Sequence, residues 1–259
     1  MPEAGTMLKN MRNLGRHSER VRQLRKDLRA RPEGTVIVDG RRLVEDLVRW
    51  GVRVREVFLA SSAAGKVGTR PWLAEVERVW IVADTVMASI APTRHPQGVL
   101  AVADEPTFAP WTGGSGCALY LDRVQEPGNV GAIVRAAAAL GAEAVLLSPG
   151  CADPFSPAAV RGSAGAVFRV PVEREVAVAE LGRRVAAGGG VWATGRGGIP
   201  VGEWRPATPL VIMLGSEGRG LGAEAAKHAL GTVTIPLERG IESLNVAVAA
   251  GILLQALRR

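Results

Sequence analysis

From residue 117 onward, short apolar runs alternate with segments of helical periodicity, and this rhythm constrains the fold more than any other feature of the chain. Residues 118–121, 144–147, 168–170, 191–194, 210–214 and 233–235 read as strands, and 130–140, 176–187 and 243–257 as helices. Short apolar strands separated by helices pack as a mostly parallel sheet covered on both faces. Ligands of such sheets bind beyond the carboxyl ends of the strands. Polar residues directly after strands are therefore the ones to examine.

Upstream, the pattern changes. Residues 33–104 read as a small α/β unit. Its strands are 35–38, 54–59, 80–82 and 98–103, and its amphipathic helix 41–50 carries Leu43, Val44, Leu47 and Val48. Residues 105–116 carry Pro and Gly with little periodicity and read as a linker. Residues 1–32 read as a basic helical arm with Val21, Leu24 and Leu28 at helical spacing. The chain thus divides into an arm (1–32), a small domain (33–104), a linker (105–116) and a larger domain (117–259). Only Cys117 and Cys151 and three histidines are present, which excludes a zinc ribbon, a zinc finger and a disulfide framework. The chain has neither an apolar run long enough for a membrane span nor a signal-peptide core at its N-terminus. The expectation is a cytoplasmic protein without a metal or a membrane partner.

Charge then narrows the partner. The formal net charge is +7, and residues 1–31 hold nine basic against three acidic side chains. A concentrated basic segment points to a polyanion, nucleic acid above all, although a solvated helix face would carry the same charges. Aromatic residues make up 4% of the chain, which favours backbone and shape recognition over base stacking.

Three segments after predicted strands concentrate polar groups. In the first, Pro127 and Gly128 break the chain, Asn129 stands at a helix N-cap position, and Arg135 follows six residues on. At 100° per residue Asn129 and Arg135 do not share a helix face, and each alone reads as a cap and a surface charge. The second, Gly215-Ser216-Glu217-Gly218-Arg219-Gly220-Leu221-Gly222, has glycines that let backbone approach a ligand. It is neither a phosphate loop nor a dinucleotide fingerprint. The third runs from Ile235-Pro236-Leu237 through Gly240 to Ser243-Leu244-Asn245, where Ser243 can cap an apolar final helix.

Taken together, Asn-x-Gly-x-x-x-Arg-Ala, Leu-Gly-Ser-Glu-Gly-x-Gly-Leu and Ile-Pro-Leu…Ser-Leu-Asn-Val resemble the three ordered motifs of the SpoU (TrmH-type) RNA ribose 2′-O-methyltransferases of the SPOUT superfamily. The resemblance covers about residues 117–259 and includes Arg161-Gly162-Ser163-Ala164-Gly165-Ala166, similar to a stretch between the first two motifs. Residues 33–104, with Thr93 to Val99 near their end, resemble the family's ribosomal-protein-like RNA-binding domain. Leu237 replaces a frequent Met, and Ala247 stands where Ser is common. Neither change touches the chemistry.

The resemblance implies a deep trefoil knot, S-adenosylmethionine as cofactor, and a homodimer with sites near its interface. On matching positions, Gly215, Ile235 and Leu244 would hold the adenosyl group. Arg135 would be the central catalytic residue, with Asn129, Glu217, Ser243 and Asn245 positioning it or the substrate. A guanidinium is a poor base, so Arg135 is expected to stay charged, clamp a phosphate and stabilise the developing alkoxide. RNA contacts are expected from Arg16, Arg22, Arg94 and Gln97. The implied substrate is 23S ribosomal RNA, because tRNA-specific members commonly lack the small domain. The alternatives are a tRNA 2′-O-methyltransferase, a non-catalytic RNA-binding or ribosome-assembly factor, and a nucleotide-dependent oxidoreductase, for which no dinucleotide fingerprint is correctly placed.

Overall fold

The computed structural model describes residues 11–67, 70–93, 96–185 and 188–258 and divides into two units. The first comprises Met1–Pro106 with Phe155–Arg161. Its elements in chain order are β1 (Met11–Leu14), α1 (Glu19–Arg29), β2 (Thr35–Asp39), α2 (Arg41–Arg49), β3 (Val54–Ala60), α3 (Ser61–Val67), β4 (Arg78–Val82), α4 (Asp84–Ile90) and β5 (Val99–Asp104). The strand order among the described residues is β1-β4-β3-β5-β2. β1, β4 and β3 run parallel, while β5 is antiparallel to both β3 and β2.

Strand alternation sends Ile37, Phe58, Leu100 and Val102 to one face, where they meet Val21 and Leu24 of α1 and Val86, Met87 and Ile90 of α4. Residues 1–32 are accordingly not a separate arm from residue 11 onward. Met11–Leu14 pair with β4, and Val21 and Leu24 are wholly buried. The helix itself is as expected, because Ser18 caps Val21 and three apolar side chains recur on its inner face.

Packing also consumes part of the basic charge. Glu56 is 4% exposed, and its carboxylate takes Arg20 at 2.5 Å and Arg78 at 3.1 Å. Removing one partner of a buried charge is far costlier than removing a surface pair. Arg20→Ala is therefore expected to destabilise the protein by about 2–3 kcal/mol in urea unfolding, whereas exposed Arg22→Ala should stay within about 0.5 kcal/mol. Equal effects for the two would contradict this assignment.

The second unit comprises Thr107–Pro154 and Gly162–Arg259. It holds β6 (Cys117–Asp122), α5 (Pro127–Leu140), β7 (Ala144–Leu147), β8 (Val172–Glu173), α7 (Leu181–Arg184), β9 (Gly190–Pro200), β10 (Leu210–Gly215), α8 (Ala223–Lys227), β11 (Gly231–Thr234) and α9 (Val246–Ala256). The short helix α6 (Pro157–Gly162) crosses the division between the units in sequence. The strand order is β11-β9-β10-β6-β7-β8, and every pairing is parallel, as the alternating pattern requires. β6 lies beside both β7 and β10, so the chain winds in opposite directions from it and opens a switch point at the β6 and β10 ends. One face buries Tyr120, Leu146, Val191 and Met213, and α5 packs against α9. The small side chains Ala136, Ala137 and Ala138 suit that close helix contact.

Three local expectations are corrected. Residues 168–170 do not form a strand: Ala166–Phe168 is a 3-10 turn entered through left-handed Ala164 and Gly165, and the edge strand is β8. The helix expected over 176–187 is reduced to a 3-10 turn, Val178–Glu180, followed by α7; residues 186–187 lie outside the described residues. Val176 donates its N–H to Leu147 and accepts the Tyr120 hydroxyl at 3.2 Å, which holds its backbone to the sheet instead. The 105–116 stretch has no regular structure, but Trp111 is buried and its indole N–H donates to Glu143 at 2.8 Å, anchoring that end to the second unit.

Burial in β6 gives the sheet an alkaline weakness. The Cys117 thiol is pushed up to about 12 by burial, with the nearby Glu143 charge adding to it. The folded state therefore keeps a proton that the unfolded chain loses from about pH 8.5 upward, and stability falls as pH rises through that window. Urea unfolding should show a loss of about 2 kcal/mol between pH 8.5 and 10 attributable to this thiol. Cys117→Ala should flatten that slope; an unchanged slope would contradict the buried-thiol account.

Candidate active site

The first motif leaves β6 through Arg123, whose backbone is left-handed, and enters α5. Glu126, not Asn129, caps this helix: its carboxylate accepts the Gly128 N–H at 3.2 Å, and Pro127 takes the first helical position. Asn129 therefore sits in the first turn with its side chain free to reach outward. Gly162 backs this turn. A Cβ at Gly162 would stand 2.9 Å from the Gly128 carbonyl oxygen and 3.5 Å from the Gly131 Cα, so only glycine admits that approach.

The second motif begins where β10 ends, at Gly215, which pairs in register with Asp122 of β6. The loop doubles back at once. Ser216 and Gly220 form a short antiparallel bridge, and the Gly220 N–H donates to the Ser216 carbonyl at 2.8 Å. Asp122, 6% exposed, closes the loop's far end by accepting the Gly222 N–H at 2.7 Å. The third motif follows β11. Ile235 and Pro236 end the strand, residues 236–243 are exposed, and Asn245 caps α9 by accepting the N–H groups of Ala247 and Val248 at 2.9 and 3.3 Å. Ser243, expected as that cap, lies two residues upstream, so α9 starts at Val246 rather than near 243.

These segments meet side chain to side chain. The Asn129 amide donates to the Glu217 carboxylate, and its carbonyl oxygen accepts the Asn245 amide at 2.9 Å. The orientation of both amides is forced, because Glu217 can only accept and the helix N–H groups can only donate. The asparagines of the first and third motifs and the glutamate of the second thus form a single directed chain. Beside it lies a cleft of 680 Å³ at the carboxyl ends of β10 and β11 and against the middle of β9. Gly215, Glu217, Ile235, Ser243 and Leu244 line it, together with the apolar Leu214, Leu221, Leu237, Val246 and Leu253. Its size and mixed lining suit a small molecule with one flat apolar part and a polar tail.

Other expected residues lie elsewhere. Arg135 is exposed on α5, is not among the cleft's lining residues, and makes no hydrogen bond or ion pair with a described residue. Arg16, Arg22 and Gln97 are exposed in the first unit, and Arg94 lies outside the described residues. Sequence reasoning missed Asp122 as the clamp on the glycine loop and Arg196 as a cleft residue. The signal for Arg196 was present: Gly195-Arg196-Gly197-Gly198 is too glycine-rich for an ordinary strand interior and marks a bulge. Among the described residues no cluster of His, Cys, Asp and Glu could hold a metal ion, and no helix is long and apolar enough to cross a membrane.

A parallel sheet whose polar motifs converge at the strand ends beside a cleft is the architecture of an α/β protein that binds a small molecule there, and sequence comparison resolves which. Residues 116–255 match the SpoU rRNA Methylase family, and residues 18–101 match the MRM3-like substrate binding domain. The chain belongs to the SpoU rRNA methylase family and is an RNA methyltransferase by class. An uncharacterized tRNA/rRNA methyltransferase of Synechocystis sp. is 30% identical, over 93% of this chain and 90% of that protein. The 23S rRNA (guanosine(2553)-2′-O)-methyltransferase RlmP of Bacillus subtilis is 29% identical, over 86% and 88%. Among solved structures, an AdoMet-bound rRNA methyltransferase from Sinorhizobium meliloti superposes with a TM-score of 0.81 at 28% identity, covering 96% of this chain and 98% of that one. The SpoU methyltransferase AviRb from Streptomyces viridochromogenes, in complex with AdoMet, gives 0.78 at 26% identity over 93% and 98%.

Proposed function

We propose that this protein transfers the methyl group of S-adenosylmethionine to a ribose 2′-hydroxyl of 23S ribosomal RNA. The observation that carries the reading is the directed Asn245–Asn129–Glu217 chain, which ties three separate strand ends to one cleft. The cleft fits the cofactor by its donor set. Gly215, Ile235 and Leu244 line it, and in this reading their backbone N–H and C=O groups meet the adenine edge, with leucine, isoleucine and valine side chains of the lining flanking it. Glu217 supplies negative charge suited to a cationic ligand. The cofactor's sulfonium methyl is the electrophile. What the chain must add is orientation and an outlet for the hydroxyl proton.

In this reading Asn129, Ser243 and Asn245 hold the ribose against the cleft, and Glu217 fixes the amide of Asn129. Arg135 remains a cation, grips the phosphate next to the target ribose and stabilises charge on the attacking oxygen, while a phosphate oxygen or water takes the proton. Its exposure outside the cleft fits a homodimer in which Arg135 serves the site of the other copy. Exposed Val248 and Ile252 on α9 supply an apolar face for such pairing. The trefoil knot implied by the family resemblance is part of the same proposal, as is a cytoplasmic location. For RNA, Arg16, Arg22, Arg94 and Gln97 are the proposed contacts in the substrate-binding unit. The RlmP likeness and the match to a substrate-binding domain favour ribosomal RNA over tRNA. Calorimetric titration with S-adenosylmethionine and with NAD tests the cofactor half: heat is expected from the first and none from the second. Binding of NAD in preference would overturn the reading in favour of an oxidoreductase.

A further inference from the structure

β9 and β11 pair normally at Trp192–Gly231 and Ala193–Thr232, and then at Ile199–Val233 and Pro200–Thr234. Between these two stretches five residues of β9, from Thr194 to Gly198, face no partner on β11 and loop out of the ladder. The loop is built rather than slack. The Thr234 hydroxyl accepts the Gly198 N–H at 2.7 Å and donates to the Gly195 carbonyl at 2.8 Å, closing its base. A Cβ at Gly198 would lie 2.1 Å from the Thr232 carbonyl oxygen, and Gly197 is left-handed, so both glycines are needed for this shape. Bulges of this kind re-aim side chains beside active sites. Here Arg196 sits at the apex and is carried to the cleft wall.

Arg196 is the one cation among the described residues lining that cleft, whose lining carboxylates are Glu217 and Glu242. One N–H group of Arg196 donates to the Glu242 carbonyl at 2.9 Å, which orients the guanidinium. The Glu242 carboxylate is 3.8 Å away, and both heads are largely exposed, so this pair leaves Arg196 available. The remaining donors make no hydrogen bond with a described residue, and a guanidinium fork matches a carboxylate in two parallel bonds. S-adenosylmethionine carries a sulfonium, an ammonium and a carboxylate. One cation and two carboxylates in the cleft are its charge complement.

Building on the cleft as the cofactor site, we propose that Arg196 anchors the carboxylate of S-adenosylmethionine and so fixes the amino-acid tail of the cofactor. The test compares ligands with and without that tail. Wild type, Arg196→Ala and Arg196→Lys are titrated calorimetrically with S-adenosylmethionine, with S-adenosylhomocysteine (carboxylate kept, sulfonium charge lost) and with 5′-methylthioadenosine (no amino-acid tail). Arg196→Ala should weaken the first two by about 10- to 100-fold and leave 5′-methylthioadenosine within about twofold, with Arg196→Lys between. Unchanged 5′-methylthioadenosine binding also reports that the cleft is intact. If Arg196→Ala weakens all three ligands alike, or none of them, the anchor is overturned. Wild type binding none of the three would instead overturn the cleft as the cofactor site, and the anchor with it.

Discussion

Gly215→Ala is expected to abolish cofactor binding. The added Cβ would stand 2.1 Å from the Gly220 carbonyl carbon and the Leu221 nitrogen, and 2.3 Å from the Gly220 oxygen. All three are backbone atoms, so no side-chain rotation relieves the contact. The loop must lift away from the end of β10, breaking the Ser216–Gly220 bridge and drawing Glu217 from Asn129. Overpacking of this kind typically costs about 1–3 kcal/mol of stability. The affinity loss should be larger, about 100-fold or more, because the displaced segment is a wall of the cleft. Gly182→Ala, where a Cβ meets nothing within 4 Å, is the control and should bind normally. Calorimetry and urea unfolding of both variants check this, and wild-type affinity in Gly215→Ala would refute the loop's role.

Arg135→Ala should show the opposite profile. Arg135 is exposed, has no partner among the described residues and does not line the cleft, so stability should change by no more than about 0.5 kcal/mol. Cofactor affinity should also hold. Turnover should fall by about 10³-fold, the scale of losing a group that stabilises charge only in the transition state. A Lys at 135 should restore part of the rate through its charge, without the two-pronged grip on a phosphate. A pH–rate profile in which no step disappears with Arg135 would support a clamp. A step lost with it would make Arg135 the base. Loss of cofactor affinity in place of turnover would place Arg135 in the wrong role altogether.

How much of this was legible before folding varied with the physics involved. The parallel sheet was readable because buried parallel strands need apolar runs on both faces, and β6, β7 and β10 supply them. Residues 168–170 misled because burial alone does not distinguish a strand from a turn: Val167, Phe168 and Val170 are buried without being paired. The basic segment before residue 32 looked detached because its buried Glu56 partner is 36 residues away from Arg20. Long-range charge pairing leaves no local pattern. The same holds at the site. The segments that hold Gly215, Glu217, Ile235, Ser243 and Leu244 stand out after strands, and the family resemblance gives those residues their roles, but the amide chain joining Asn129 to Glu217 and Asn245 spans 88 and 116 residues. Its existence depends on Glu126 taking over the cap of α5, which sequence reasoning had given to Asn129.

The most direct measurement follows the methyl group. Purified protein is incubated with methyl-labelled S-adenosylmethionine and unmodified 23S rRNA or, separately, tRNA, and the RNA is hydrolysed in alkali. A methylated 2′-oxygen cannot attack its neighbouring phosphate, so it leaves an alkali-resistant dinucleotide. Label is expected in one such dinucleotide from 23S rRNA, absent from tRNA and lost with Arg135→Ala. Label recovered in single nucleotides would mean methylation of a base, and no label in either RNA despite cofactor binding would leave a binding protein. Either result would contradict ribose methylation of ribosomal RNA.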